Sequence, residues 1–183
     1  MRKTTYATLL ILISATLVYA MQAEKEWVKF TSPEGRLSVL LPNQPKLEVV
    51  SDAANEKLTH NRFSEFGDGY AFVIEYFDNI AISDPEKYLD EARDGIVSAI
   101  HGSLTRENKI TLDGYPGREL ELSLTAGNVT AGNGTIVLGR TRIYAVGSSF
   151  YSMSYVWRKD IDQMKVANIG EKYFASIKIT ASK

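Results

Sequence analysis

The chain has 183 residues, 44% of them hydrophobic and 23% charged, with 21 basic and 22 acidic side chains and no cysteine. Lys and Arg are dispersed, with no polybasic run of the kind that holds nucleic acid or anionic lipid. Without cysteine there is no disulfide staple and no thiol chemistry, so stability rests on a hydrophobic core, for which a chain of this length suffices.

Arg2 and Lys3 precede an apolar run from Tyr6 to Val18, and Val18-Tyr19-Ala20 offers small residues at the −3 and −1 positions of a cleavage site. This is the pattern of a secretory signal peptide over residues 1–20, with a second cut available after Ala23. An uncleaved anchor is the competing reading, because about 20 apolar residues just span a bilayer. No cysteine stands at the junction to carry a lipid. Cleavage removes two cations and no acid, leaving 19 basic against 22 acidic residues, and residues 24–183 read as a single mildly acidic domain placed in the periplasm or secreted.

In chain order, Trp27 to Phe30 and Arg36 to Leu41 flank Ser32-Pro33-Glu34-Gly35 and predict a hairpin. Pro42 and Pro45 end its second strand. Lys46 to Ser51 and Lys57 to Phe66 predict two further strands before a turn at Gly67-Asp68-Gly69. Tyr70 to Phe77 is apolar on both faces, which predicts cover from helices on both sides. Ser83, Pro85 and Glu86 predict a capping box opening a helix to about Ile100, with Tyr88, Leu89, Ala92, Ile96, Ala99 and Ile100 as its stripe and Gly102 as its stop. Ile110 to Leu112 and Arg118 to Leu124 predict a second hairpin around Asp113 to Gly117. Thr125 to Gly134 reads as a polar, glycine-rich loop, and Ile136 to Val146 with Phe150 to Trp157 predict a third hairpin across Gly147-Ser148. A last helix from about Ile161 to Ser176, with Ile161, Met164, Ala167 and Phe174 at helical spacing, precedes a closing strand at Ile177 to Thr180.

Several of these stretches carry a resemblance. Phe30-Thr31-Ser32-Pro33-Glu34-Gly35-Arg36-Leu37-Ser38-Val39 running to Pro42, then Leu89 to Gly95, Leu112 to Glu119 and Arg142 to Gly147, resemble in order and spacing small exported bacterial proteins of unknown function with a PsbP-like fold. That fold is named for the extrinsic protein of the photosynthetic oxygen-evolving complex. The resemblance implies an α+β architecture, a central and mainly antiparallel sheet flanked by helices as an α/β/α sandwich. It transfers no active residue, because the shared positions are turn and core residues and one fold hosts many functions.

Chemical motifs are sparse. His60 and His101 stand 41 positions apart with no ligand-spaced partner, so neither a metal nor a cofactor is expected. No G-x-S-x-G elbow is present, and Gly132-Asn133-Gly134 lacks the helix and the Lys-Ser or Lys-Thr pair of a phosphate loop. Glu119 and Glu121 share one strand face, the pattern of a solvated face as well as of a glycosidase pair. Tyr144, Tyr151, Tyr155 and Trp157 read either as core or as the lining of an apolar or carbohydrate groove. The expectation is an exported, non-enzymatic accessory module with a protein partner in the cell envelope. The alternatives are a small-ligand binder using those four aromatic residues and a hydrolase using His60 or His101 with a carboxylate.

Overall fold

The computed structural model describes residues 26–52, 55–125 and 136–180. The expected signal peptide at residues 1–20 and most of the expected loop from Thr125 to Gly134 lie outside the described residues.

Among the described residues ten strands form two antiparallel sheets. β1 (Val28–Thr31) and β2 (Leu37–Leu41) make the first hairpin, and β10 (Lys178–Ile179) pairs with the free side of β2. The large sheet holds β3 (Lys46–Asp52), β4 (Asn55–Phe66), β5 (Tyr70–Phe77), β9 (Ser149–Arg158), β8 (Ile136–Val146), β7 (Tyr115–Thr125) and β6 (Ser103–Leu112) in that spatial order. Every neighbouring pair in it is antiparallel. Helices α1 (Pro85–Ala99) and α2 (Gln163–Ala175) complete the described part of the fold. Among the described residues no helix is long and apolar enough to cross a membrane.

One face of the large sheet carries the main core. Phe63, Phe72, Ile74, Tyr76, Tyr151, Met153 and Tyr155 pack there against α2 and the small sheet, which contribute Val166, Tyr173 and Phe174, and Phe30, Leu37 and Val39. The opposite face receives α1, where Leu89 packs on Leu120, Ile143, Ala145 and Phe150. The layering is thus α1, the seven-stranded sheet, and a mixed layer of α2 with the small sheet.

Local chemistry explains where the elements begin and stop. α1 is capped by Asp84, whose side chain accepts from the Lys87 N–H at 3.1 Å, and not by Ser83. The cause is Pro85 at the first helical position, which forces the residue before it to be extended, and Asp84 has φ −131 and ψ 100. The helix ends on His101 in the left-handed region at φ 50, one residue before the expected stop at Gly102. The second hairpin turns on only two residues, Asp113 and Gly114, with φ 50 and 85, so Tyr115 to Gly117 belong to β7. Pro116 is tolerated because pairing with β8 begins only at Gly117.

Two expectations are corrected. In α2 the buried positions are Val166, Gly170, Tyr173 and Phe174, while Met164 is exposed. Gly170 sets that face, because a Cβ there would meet the Tyr155 ring at 3.2 Å. Nor is β5 covered on both faces: α1 packs on β7 and β8, leaving Val73 and Phe77 half-buried on the side facing away from the main core.

Candidate functional site

Two concave regions, one on each face of the large sheet, have the size and lining of binding sites.

The first is a trough of about 480 Å³ on the face that carries α1. Its wall is the C-terminal part of the α1 stripe, the half-buried Ile96 and Ile100 with the exposed Ala99. The floor is built from small side chains on the central strands, Ser64, Val73, Thr141, Ser152, Ser154 and Val156. Strand alternation causes this: Ser152 and Ser154 point away from the core because Tyr151, Met153 and Tyr155 point into it. Thr141 and Ser154 satisfy each other at 2.9 Å, so the floor is polar without being charged. At the far rim Arg62 clamps Glu75 at 2.7 Å, and Phe66 stands 68% exposed.

The second is a cleft of about 340 Å³ between α2 and the opposite face. Tyr155 and Trp157 border it and stack with ring centroids 5.1 Å apart. Arg140 closes one side, bonded to Glu171 at 2.9 Å and lying 4.8 Å from the Phe174 ring centre. The Tyr155 hydroxyl and the Trp157 indole nitrogen are buried and, among the described residues, have no hydrogen-bond partner. Burial pushes the Tyr155 phenol well above its ordinary value, with the Arg140 cation pulling the other way, so it is a neutral donor at physiological pH.

Of the four aromatic residues singled out in the sequence, the fold therefore brings two to one cleft. Tyr144 and Tyr151 do not border it; they are at most 2% exposed and belong to the core. Glu119 bonds to Arg142 at 2.7 Å, and Glu121 lies 3.7 Å from Arg106, so both acids are engaged in ladders of opposite charge across neighbouring strands.

His60 lies on β4, stacked on Phe77 at 4.2 Å with its Nε2 atom 3.2 Å from Glu75, the same carboxylate that Arg62 holds. His101 is exposed at the end of α1. Among the described residues neither histidine has a serine bonded to it, and no three His, Cys, Asp or Glu side chains gather as a metal set.

A separate polar cluster pins α1 to the sheet. The Arg118 guanidinium, 1% exposed, reaches Glu86 at 2.8 Å, Asp90 at 2.9 Å and Glu107 at 3.1 Å. Hydrogen bonds from Lys109 and Arg118 hold the Glu86 carboxyl below its ordinary value. Every group in the cluster is paired, and its consequence is mechanical: it fixes the helix that forms the trough wall.

No protein-family model and no curated protein sequence matches this chain. Solved structures do. The cyanobacterial PsbP of Synechocystis superposes with a TM-score of 0.57 at 10% identity, over 87% of this chain and 96% of that one. The Saccharomyces cerevisiae Ran-binding protein Mog1p gives 0.50 at 8% identity, over 86% and 97%. A Bacteroides thetaiotaomicron protein gives 0.52 at 14% identity over 87% of this chain, which spans only 50% of that protein's length. At these identities the likeness is one of architecture: the chain has the PsbP-like fold, an α+β domain of mostly antiparallel sheet with two helices.

Proposed function

We propose that the protein is an exported, non-enzymatic accessory module that holds a protein partner on the bare half of its large sheet. The observation that carries this reading is the trough beside α1. That face is closed by a helix over β7 and β8 and left open over β9, β5 and β4. Three strands at about 4.8 Å spacing leave a strip roughly 14 Å wide, enough for one further helix of about 10 Å diameter beside α1. The half-buried Ile96 and Ile100, with the exposed Ala99 and Phe66, supply apolar contacts for the stripe of such a helix, and the serine floor lets its backbone lie close. The leader pattern at residues 1–20 supports export, and the Ran-binding activity in the name of Mog1p shows that this architecture can serve a protein–protein role.

The test is capture of the partner by the full chain, expressed with its own leader and tagged at the C-terminus, from the extracytoplasmic fraction. A photo-cross-linking residue at position 66 should join the same protein that is captured, and Phe66→Glu should release it while leaving the melting temperature unchanged. A captured protein indifferent to Phe66→Glu would sink this reading.

The aromatic cleft supports a second reading, a small-ligand binder. Its observation is the pair of unpartnered buried groups, the Tyr155 hydroxyl and the Trp157 N–H, beside a cavity that fits a small ring-shaped molecule. Native mass spectrometry of protein purified from its own compartment tests it. A stoichiometric ligand lost in Trp157→Phe would favour this reading over the first, and an empty protein would remove it.

A further inference from the structure

We propose that a second copy of this chain pairs along β3, joining two large sheets about a two-fold axis through Leu47. β3 is the terminal strand of the large sheet, and among the described residues only β4 pairs with it.

Which of its backbone groups face outward follows from the neighbouring hairpin. The Gly67 N–H donates to the Tyr70 carbonyl at 2.9 Å, making Gly67 and Tyr70 a hydrogen-bonded pair. Hydrogen-bonded pairs alternate along an antiparallel ladder, so the Phe63 backbone groups turn toward β5 and those of Arg62 and Ser64 toward β3. Lys46 and Glu48, opposite Ser64 and Arg62, therefore bond inward, and Leu47 and Val49 hold their N–H and C=O groups on the open edge.

The same two residues leave their side chains uncovered. Leu47 is 53% and Val49 64% exposed, on the side of the sheet where Leu47 stands opposite the buried Phe63. A strand that is both apolar and unpaired at its edge invites pairing with another strand.

β3 is complementary to itself. With Leu47 on the axis, Leu47 meets Leu47 and Val49 meets Pro45 on one face, while Lys46 meets Glu48 twice on the other. Moving the axis one residue to Glu48 sets two carboxylates against each other, which disfavours that register. A two-fold axis normal to the sheet keeps equivalent faces on one side, so both troughs open on the same surface of the dimer, each with Glu48 on its rim nearest the axis.

The absence of native cysteine makes the test clean. Single variants Leu47→Cys and Val49→Cys of the full chain, expressed with its leader, are treated with a short thiol cross-linker, and the oligomeric state of the unmodified protein is read by sedimentation. The expected result is a dimer, efficient cross-linking at position 47, none at position 49, and a dissociation constant raised about tenfold or more by Leu47→Lys. A monomer at all concentrations, cross-linking at position 49 in place of 47, or a dimer indifferent to Leu47→Lys would overturn the proposal. The monomeric outcome would leave the edge to a strand from a different protein. Because the trough reading is tested at Phe66, either proposal can fail without the other.

Discussion

Replacing Arg118 by alanine removes a guanidinium buried beneath α1 and bonded to Glu86, Asp90 and Glu107. Breaking a buried ion pair typically costs about 3–5 kcal/mol, largely because the surviving charge is stranded without water. Here the survivors are not stranded. Glu86 and Asp90 are about half exposed, Glu86 keeps Lys109 at 2.8 Å, and Glu107 keeps Arg93 at 2.9 Å. The electrostatic loss should therefore be small, about 1 kcal/mol, and most of the cost should come from the two stem methylenes that alanine lacks, Cγ and Cδ, at about 0.8 kcal/mol each. The total is about 3 kcal/mol for Arg118→Ala and about 1 kcal/mol for Arg118→Met, which keeps the stem volume. At roughly 2–4 °C per kcal/mol for a domain of this size, the melting temperature falls about 6–12 °C in the first variant and 2–4 °C in the second. Calorimetry at neutral pH measures both. Equal losses in the two variants would refute the argument that the carboxylates re-solvate.

Tyr173 lies wholly buried with a hydroxyl that has no hydrogen-bond partner among the described residues, so Tyr173→Phe should leave stability unchanged or raise it by up to about 1 kcal/mol, and a clear loss in urea unfolding would reveal a hidden partner such as an internal water. On the alkaline side, burial with a hydrogen bond to Glu34 pushes Tyr76 from its ordinary 10.0 up to about 12, and burial raises Tyr144, Tyr151 and Tyr155 as well. The fold favours the neutral phenols, so their contribution is complete below pH 10 and is lost as pH rises above it, through about 12 for Tyr76. Phenolate absorbance followed beside circular dichroism should show these tyrosines ionising only as the fold melts, and ionisation near pH 10 with the fold intact would contradict this.

The turns were readable because their chemistry is local. Gly67-Asp68-Gly69, Asp113-Gly114 and Gly147-Ser148 announce reversals whatever surrounds them. The first seven residues of β6, Ser103 to Lys109, gave no signal, since an edge strand with mixed charge on both faces has no hydrophobic period to detect. The division into two sheets was also invisible, because β1 and β2 look the same whether they join the main sheet or leave it. For the candidate sites, the aromatic run in β9 was legible as one strand face, but which rings border a cleft depends on where α2 lies, and that is set by Gly170 meeting Tyr155 across the chain. The trough went unnoticed because its floor is serine, threonine and valine drawn from four strands. The serines alternating with aromatic residues from Tyr151 to Tyr155 were the one signal that could have marked it, since a strand with rings on one face and small hydroxyls on the other leaves its second face low.

The pairing of β10 with β2 sets when this chain can finish folding. Ile179 lies beside Leu37, and the Thr180 N–H reaches the Arg36 carbonyl at 2.8 Å, so the β1–β2 hairpin is completed by the strand that, among the described residues, is farthest from it in sequence. Until it arrives, Leu37, Val39 and Leu41 lack the α2 residues and the closing strand that bury them. Such dependence on contacts distant in sequence slows folding. The same closure that locks the finished domain is therefore the contact that sets how slowly it forms.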